Sequence, residues 1–467
     1  MFREGQIRSD QPSATDDARK ALWQLALRIK QEIEDGVAKG LLKPQQEPVM
    51  AWKVDQFQYG DTGVVQAGSH GENEIRESWV GASISVQNQV EKMPEFVLAE
   101  RILHSVFPKK TQGTNPLKTF AGRLVWNFFL EYPPKEITID RAIENFLKDL
   151  NEEPAVYRAK VEVHGIALRP EHVEIDFGLT LRQTRMEDLQ KAIPQYGLHG
   201  ASVMGPWPSA ILNIQVLGRH TEELRNQIEL VIAFLRLFKV GSVTWSYYQT
   251  ESESIMDWSA GLGAFSGRRE QALETSLIMN DDIIRLQKFW RLIGKSIPPS
   301  FYDVATPTTD HLTISYNRYG DALMLNGMIE RRIANSIMGL EALFLKRGEV
   351  QELVYRLSAR VSKMFALLGF DQFEVKKRIG DAYRVRNLFV HGSQLSYRER
   401  KSLSAKYQSL NELLLSVLDY LRTSLVVMVI TKIGKEEFID RLDDSLIDEK
   451  REQDLSQVLT HVRSAIS

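Results

Sequence analysis

Apolar side chains recur every three or four positions through much of the first 150 residues, which is the spacing of one buried helix face. The clearest segment, residues 14–38, repeats leucine and isoleucine at this spacing behind an acidic first turn. A polar, glycine-rich stretch at 58–74 interrupts the pattern and predicts a long loop or a mobile hairpin. Residues 1–150 are therefore predicted to be a mostly helical region with a long loop.

The pattern then changes to the two-residue alternation of strands. Two β-branched runs, 155–168 and 172–184, are separated by "RPE" and predict a hairpin. A further strand, an amphipathic helix that begins at Thr221 and another strand follow before residue 255. Residues 151–300 are thus predicted to be an α+β domain, and whether it continues the first region is left open.

A proline-rich stretch at 297–311 is the best candidate boundary, and the sequence after it is almost wholly helical. Residues 312–435 predict an antiparallel four-helix bundle, because the connections between the helical segments are short. The remaining residues, 436–467, predict an acidic and loosely held tail. The predicted fold class is α+β, a mixed helix and antiparallel-sheet region followed by this bundle. Its four helices are expected within 321–346, 352–369, 373–392 and 411–434, with the first three ended by Gly348, Gly369 and Gly392.

Composition narrows the functional classes. The 467 residues contain no cysteine, which excludes disulfides, thiolate catalysis and cysteine-based zinc sites and fits a cytoplasmic location. The net charge of −2 excludes a uniformly basic surface that would coat a nucleic acid. The most apolar segment, 413–430, contains Asp419 and Arg422, so it predicts a buried bundle helix and no membrane span. The histidines are scattered without metal-binding spacing, so neither a metal nor another cofactor is predicted.

The candidate chemistry lies near the end of the third bundle helix, in "DAYRVRNLFVHGSQ". Asn387 and His391 are four residues apart and share a helix face, and Arg384 lies at nearly the same azimuth. Arg386 lies about 140° from His391 around the axis of an ideal helix. It therefore has to reach His391 with its long side chain, or through unwinding near Gly392.

Spacing alone does not identify this site, because Arg158 and His164 show a similar spacing on a predicted strand, where a polar sheet face is the simpler explanation. Local charge adds support. From 346 to 406 there are 14 lysines and arginines against 6 aspartates and glutamates, an excess of 8 that suits a polyanion. Within it, Lys376, Lys377 and Arg378 are candidate RNA-binding residues or, alternatively, a solvated helix face.

"RNLFVHG" resembles the Arg-Asn-x-x-x-His signature of the HEPN (higher eukaryotes and prokaryotes nucleotide-binding) superfamily. With "SIMGLEALFL" and "ELVYRLSARVSKMFALLG" before it, the segment from about 325 to 435 resembles the ApeA-like branch. The resemblance implies a metal-independent endoribonuclease of toxin or antiphage (abortive infection) systems. It also implies a homodimer in which two Arg/His motifs meet. Other members of the superfamily are inactive binding or scaffold modules.

These residues suit RNA cleavage, because the 2′-OH of RNA supplies the nucleophile. A histidine such as His391 can exchange a proton near neutral pH, and Arg386 can hold phosphate oxygens in a two-pronged geometry. Asn387 is expected to orient the imidazole or to donate to phosphate, with Arg384 and Glu341 as supporting residues; Glu341 either steers Arg386 or forms a simple surface ion pair. The expected partner is RNA, with tRNA as one candidate, and the expected product is a 2′,3′-cyclic phosphate. A non-catalytic RNA- or nucleotide-binding regulator and a purely dimerising bundle remain as alternatives.

Overall fold

The structure is a computed structural model, and its mixture of antiparallel sheet and helices confirms the predicted α+β class. The structure describes residues 11–60, 65–110, 115–189, 207–257, 263–265, 274–303, 310–324 and 328–466.

The N-terminal region is a helical unit with its own hydrophobic core, which is built mainly from residues 18–150. Its periodic segments form the predicted helices because each one buries a single apolar face against its neighbours. Helices α1 to α5 span Gln11–Ala38, Val80–Val90, Pro94–Val106, Pro116–Leu130 and Glu136–Leu150.

The stretch predicted to be a long loop or a mobile hairpin belongs to a β-hairpin, formed by β1 (Gln45–Tyr59) and β2 (Val65–Ser78), and residues 61–64 lie outside the described part. Backbone pairing joins the two strands, and among their described side chains Val54 and Val65 pack against Leu189. The sequence pattern did not show how long the strands are, because the stretch at 58–74 is rich in polar residues and glycine.

The second region is built on a six-stranded antiparallel sheet in the order β5-β6-β7-β3-β8-β9, beside a small parallel pair of β4 with β10. Strands β3 to β10 span Ala155–His164, Ile166–Leu168, His172–Asp176, Leu179–Gln183, Ala210–Gly218, Thr244–Ser252, Gly263–Phe265 and Ser276–Ile278. The predicted hairpin between the first two runs is wrong. β3 pairs with β7 and β8, while β5 and β6 pair with each other through a turn at Gly178.

Helices α6 (Thr221–Phe238) and α7 (Asp282–Ile293) flank the sheet. Helix α6 begins at Thr221 as predicted, and its apolar residues pack against β3 and β7. The other end of α6 meets the C-terminal helices. There Arg422 donates from Nη1 to the carbonyl oxygens of Leu237 (2.8 Å) and Phe238 (3.1 Å).

The C-terminal region is a run of helices, as predicted, although their bounds differ from the expected ones. Helices α8 to α15 span His311–Met324, Ile329–Phe344, Leu353–Leu367, Gln372–Val390, Tyr397–Tyr407, Leu410–Thr431, Lys435–Ser445 and Glu449–Ile466. The first predicted bundle helix, 321–346, is two helices in the structure, because α8 ends at Met324 and Met328 has an extended backbone before α9. Helix α9 then ends at Phe344 rather than at Gly348. An additional helix, α12, precedes the predicted fourth helix.

The acidic tail is not loosely held. Its helices α14 and α15 bury Phe438, Leu442, Leu455, Leu459 and Val462 in the same core as the rest of the bundle. The amphipathic pattern of the tail outweighs its net charge, because a charged outer face is compatible with an apolar inner face.

One hydrophobic core extends from the sheet through all of these helices, so the proline-rich boundary at 297–311 does not separate two cores. Residues 304–309 of that boundary lie outside the described part. In the described ranges, α13 is the one helix long and apolar enough to cross a membrane, and 78% of its apolar window is buried within the fold. It is a core helix, as its sequence predicted.

Candidate functional site

The Arg-Asn-x-x-x-His motif lies at the C-terminal end of α11. Asp371 caps the start of this helix by accepting from the backbone N–H groups of Phe373 (2.8 Å) and Glu374 (3.0 Å). At the other end His391 is the C-cap residue, and its N–H still donates to the carbonyl oxygen of Asn387 at 3.1 Å. Gly392 then turns the chain away at φ +72°, a conformation that strongly favours glycine. The helix is therefore regular up to His391 and does not unwind within the motif.

Arg386 faces helix α9 and is half-buried, with 22% of its side chain exposed. Its Nη2 donates to Oε2 of Glu341 at 3.0 Å, and its Nη1 donates to Oδ1 of Asn387 at 3.1 Å. Its guanidinium carbon lies 5.4 Å from the ring centre of Tyr383. Glu341 therefore forms an interhelical ion pair that steers Arg386, and not merely a pair on the outer surface.

Tyr383 completes this cluster from one turn earlier on α11. Burial, together with the negative charge of Glu341 and a hydrogen bond to it, raises the pKa of Tyr383 to about 12. The phenol is neutral at physiological pH, and its hydroxyl donates to Glu341. Tyr383 was not among the residues that the sequence predicted for the site; its position three residues before Arg386, on an adjacent part of the helix surface, was the available signal.

The imidazole of His391 is exposed at the end of α11. In the described part of the chain no hydrogen bond joins it to Arg386, and the intact helix leaves the two residues about 140° apart in azimuth. The carboxamide oxygen of Asn387 accepts a hydrogen bond from Arg386. Asn387 therefore orients the arginine, whereas one of the two roles expected for it was to orient the imidazole. The motif thus consists of an arginine fixed against α9 and a solvent-facing histidine on a different side of α11.

Arg384 lies on the exposed face with His391 and is linked to the next helix. Its Nη2 lies 2.5 Å from Oε1 of Glu399. Glu399 also forms the capping box of α12 with Ser396, so Arg384 joins α11 to the start of α12. It contacts neither Glu341 nor Arg386 in the hydrogen bonds of the described residues.

The three candidate RNA-binding residues differ in their availability. Lys376 lies with Nζ 5.2 Å from the ring centre of Tyr355, and Lys377 is exposed. Arg378 is occupied, because its Nε donates to Glu374 at 2.7 Å and its Nη1 donates to Ser416. Lys376 and Lys377 therefore remain candidates for a phosphate contact, whereas Arg378 has a structural role.

The local charge excess is smaller in three dimensions than along the chain. Nine of the 14 basic residues in the fully described segment 346–406 form ion pairs. Several of their partners lie outside that segment, namely Glu330, Glu341, Asp440, Asp443 and Glu452. A window along the sequence cannot include acidic residues that only folding brings close.

The similar pair on strand β3 serves two separate contacts. Arg158 lies 3.0 Å from Glu253 at the surface, whereas His164 is buried with Nε2 2.7 Å from Oγ of Ser246.

Within the residues that the structure describes, no group of three or more histidine, cysteine or acidic side chains is placed to hold a metal ion. Comparison with known protein families, curated proteins and solved structures found no match to this chain.

Proposed function

We propose that this protein is a metal-independent endoribonuclease of HEPN type that acts in the cytoplasm, in toxin or antiphage defence. The supporting observation is the arrangement at the end of α11, where an exposed imidazole follows a guanidinium that Glu341 and Asn387 hold in place. The resemblance of the motif and its flanking helices supplies the defence context. RNA is the proposed substrate, with tRNA as one candidate.

The chemistry requires a proton acceptor for the 2′-OH, a cation near the phosphorane and a proton donor for the leaving 5′-oxygen. His391 is the proposed proton carrier, and a positioned group of this kind typically contributes roughly 10²–10⁴-fold in rate. Arg386 is proposed to hold the phosphate, because Glu341 and Asn387 engage only some of its N–H groups. Cleavage forms the bond from O2′ to phosphorus, breaks the bond from phosphorus to O5′, and leaves a 2′,3′-cyclic phosphate and a 5′-hydroxyl.

A homodimer is part of this proposal. One motif provides one histidine, whereas the acid and base roles call for two proton carriers. A two-fold axis near the ends of the α11 helices would supply the second His391 from the other copy. Light scattering at micromolar concentration tests this point, and a monomer that cleaves RNA would contradict it.

The test of activity is incubation of total RNA and of tRNA with the purified chain in EDTA. We expect the wild type to cleave, and His391→Ala and Arg386→Ala to lose at least ~100-fold of the rate. His172→Ala and Arg347→Ala are matched controls, because both residues are exposed and lie outside the motif. Equal cleavage by the wild type and both motif variants would refute the proposal, and end-group analysis would identify the cyclic phosphate.

A second candidate is a non-catalytic, dimerising RNA- or nucleotide-binding regulator. The observation that favours it is the engagement of Arg386 with α9 instead of with His391. Glu341→Gln distinguishes the two functions, because it removes the charge that holds Arg386. A nuclease is expected to change its rate in this variant, whereas a regulator would bind RNA without cleaving it in any of these proteins.

A further inference from the structure

Helix α11 presents one exposed face along its whole length, and that face ends at His391. Phe373 lies 18 residues before His391, which is five full turns, and Lys377 and Arg384 fall within about 40° of the same line. All four residues are exposed. Arg386 lies off this face, on the side that packs against α9.

The N-terminal end of this face carries two exposed aromatic rings. Phe373 is 85% exposed and Tyr355, at the start of α10, is 61% exposed. Lys376 links them, since its Nζ lies 5.2 Å from the ring centre of Tyr355 and its position is one helical turn from Phe373. Both side chains are mostly exposed, and Lys376 covers one face of Tyr355, so the ring of Phe373 and the other face of Tyr355 are available to a ligand.

The charge of this face is basic where the rings lie. Lys376 and Lys377 form no ion pair with any described residue, unlike the neighbouring Arg378. Between the rings and His391, Gly380 leaves the helix surface open, because a side chain there would meet no atom within 4 Å. Exposed rings with unpaired lysines and an open path toward a histidine are the combination that single-stranded nucleic acids bind.

We infer that this face binds single-stranded RNA, with bases stacked on Phe373 and Tyr355 and the backbone passing Lys377 and Arg384 to His391. The inference rests on the proposed function and specifies its substrate as unpaired RNA. Phe373 and His391 are separated by roughly 27 Å along the helix axis. A strand covers that distance in roughly eight nucleotides at a stacked rise of ~3.4 Å, and in fewer when it is extended.

Charge distinguishes this occupant from a second copy of the chain. The two-fold axis proposed above lies near His391, at the opposite end of α11 from Phe373 and Lys376. A contact between the ring-bearing ends of two copies would bring Lys376 and Lys377 against their own counterparts, which is unfavourable. Duplex RNA is also a poor fit, because its bases are stacked within the helix and cannot lie on the rings. An unpaired strand offers both base faces and phosphates.

The experiment measures fluorescence anisotropy of a labelled oligouridine of about ten nucleotides with the full chain, in a His391→Ala background that prevents cleavage. We expect Phe373→Ala and Tyr355→Ala each to weaken binding roughly 5- to 160-fold, the range for loss of one stacked base. Lys377→Ala should reduce the slope of log affinity against log salt by roughly 0.7. Phe177→Ala is the matched control, because Phe177 is 89% exposed in the turn between β5 and β6.

The inference is overturned if duplex binds as tightly as the single strand, or if Phe373→Ala behaves like Phe177→Ala. It is also overturned if Phe373→Ala leaves RNA binding intact and converts a dimer into a monomer, which would make the face a protein interface. Loss of cleavage and loss of this face are separable outcomes. RNA binding that depends on Phe373, without any cleavage, supports the RNA-binding face and refutes the nuclease. Cleavage that is unchanged in Phe373→Ala supports the nuclease and refutes the RNA-binding face.

Discussion

Arg360 joins three parts of the helical bundle through one buried guanidinium. It is only 3% exposed, and it forms paired hydrogen bonds to both oxygens of Glu349 and of Asp443, all at 2.8 Å. It also donates to the carbonyl oxygen of Phe344, the last residue of α9. Because Glu341 lies one turn before Phe344, this cluster fixes the end of the helix that holds Arg386.

Replacing Arg360 by methionine keeps much of its volume and removes every one of these hydrogen bonds. Loss of one partner of a buried ion pair typically costs ~3–5 kcal/mol, because the remaining charge stays uncompensated. Asp443 is 41% exposed, so water recovers part of this loss, and we expect a decrease of ~2–4 kcal/mol in the free energy of unfolding. Arg356→Met is the control. It removes one ion pair with Glu349 from a side chain that is itself 42% exposed, and it should cost less than ~1 kcal/mol.

Urea denaturation followed by circular dichroism measures both variants, and hydrogen exchange of α9 and α14 locates the loss. We expect faster exchange at the end of α9 in Arg360→Met and little change in Arg356→Met. A cost for Arg360→Met no larger than that for the control would refute the reasoning. The reasoning would also be refuted if Arg360→Met were as stable as the wild type while Glu349 and Asp443 were both unchanged.

Three further predictions concern stability. Hydrogen bonds from Arg360 lower the pKa of Glu349 from 4.5 to about 2. The contribution of Glu349 to the free energy of unfolding is therefore complete above pH 4.5 and is lost as the pH falls through 2. Glu349→Gln should remove this pH-dependent contribution in urea titrations at several pH values. Gly380→Ala should raise the free energy of unfolding by ~0.5–1 kcal/mol, because the position is helical and open, while Gly165→Ala should destabilise strongly, because its Cβ would lie 2.2 Å from a carbonyl oxygen. Arg422→Met should cost ~2–4 kcal/mol in calorimetry or urea denaturation by freeing Asp419 and two carbonyl groups of α6, and an unchanged midpoint would contradict it.

The helices and the motif were predictable because their signals are local. Apolar spacing located α1, α6, α10, α11 and α13 to within a few residues, since each helix buries a face that repeats every three or four positions. Gly392 also marked the end of α11 correctly, because its backbone conformation strongly favours glycine. The separation of Arg386 from the azimuth of His391 followed from helix geometry alone.

Strand partners were not predictable in the same way. The run at 155–164 alternates as a strand should, but nothing in it specifies that it pairs with 210–218 and 244–252 rather than with the next run. For the stretch at 58–74 the sequence left a long loop or a hairpin open, because the side chains of β1 and β2 are mostly polar and the strands are joined by backbone pairing. Pairing joins residues that are far apart in the chain, so an apolar pattern within one segment does not encode it.

Residue order alone was enough to predict the helical bundle, the position of the Arg-Asn-x-x-x-His motif on its third predicted helix and the absence of cysteine chemistry. The directions in which the side chains of that motif point depend on packing between helices. Glu341, 45 residues before Arg386, turns the guanidinium toward α9, while the same helix leaves His391 and Phe373 on its exposed face. The reason is physical: helix period is a property of neighbouring residues, whereas an ion pair depends on which charges the packed core brings within a few ångströms.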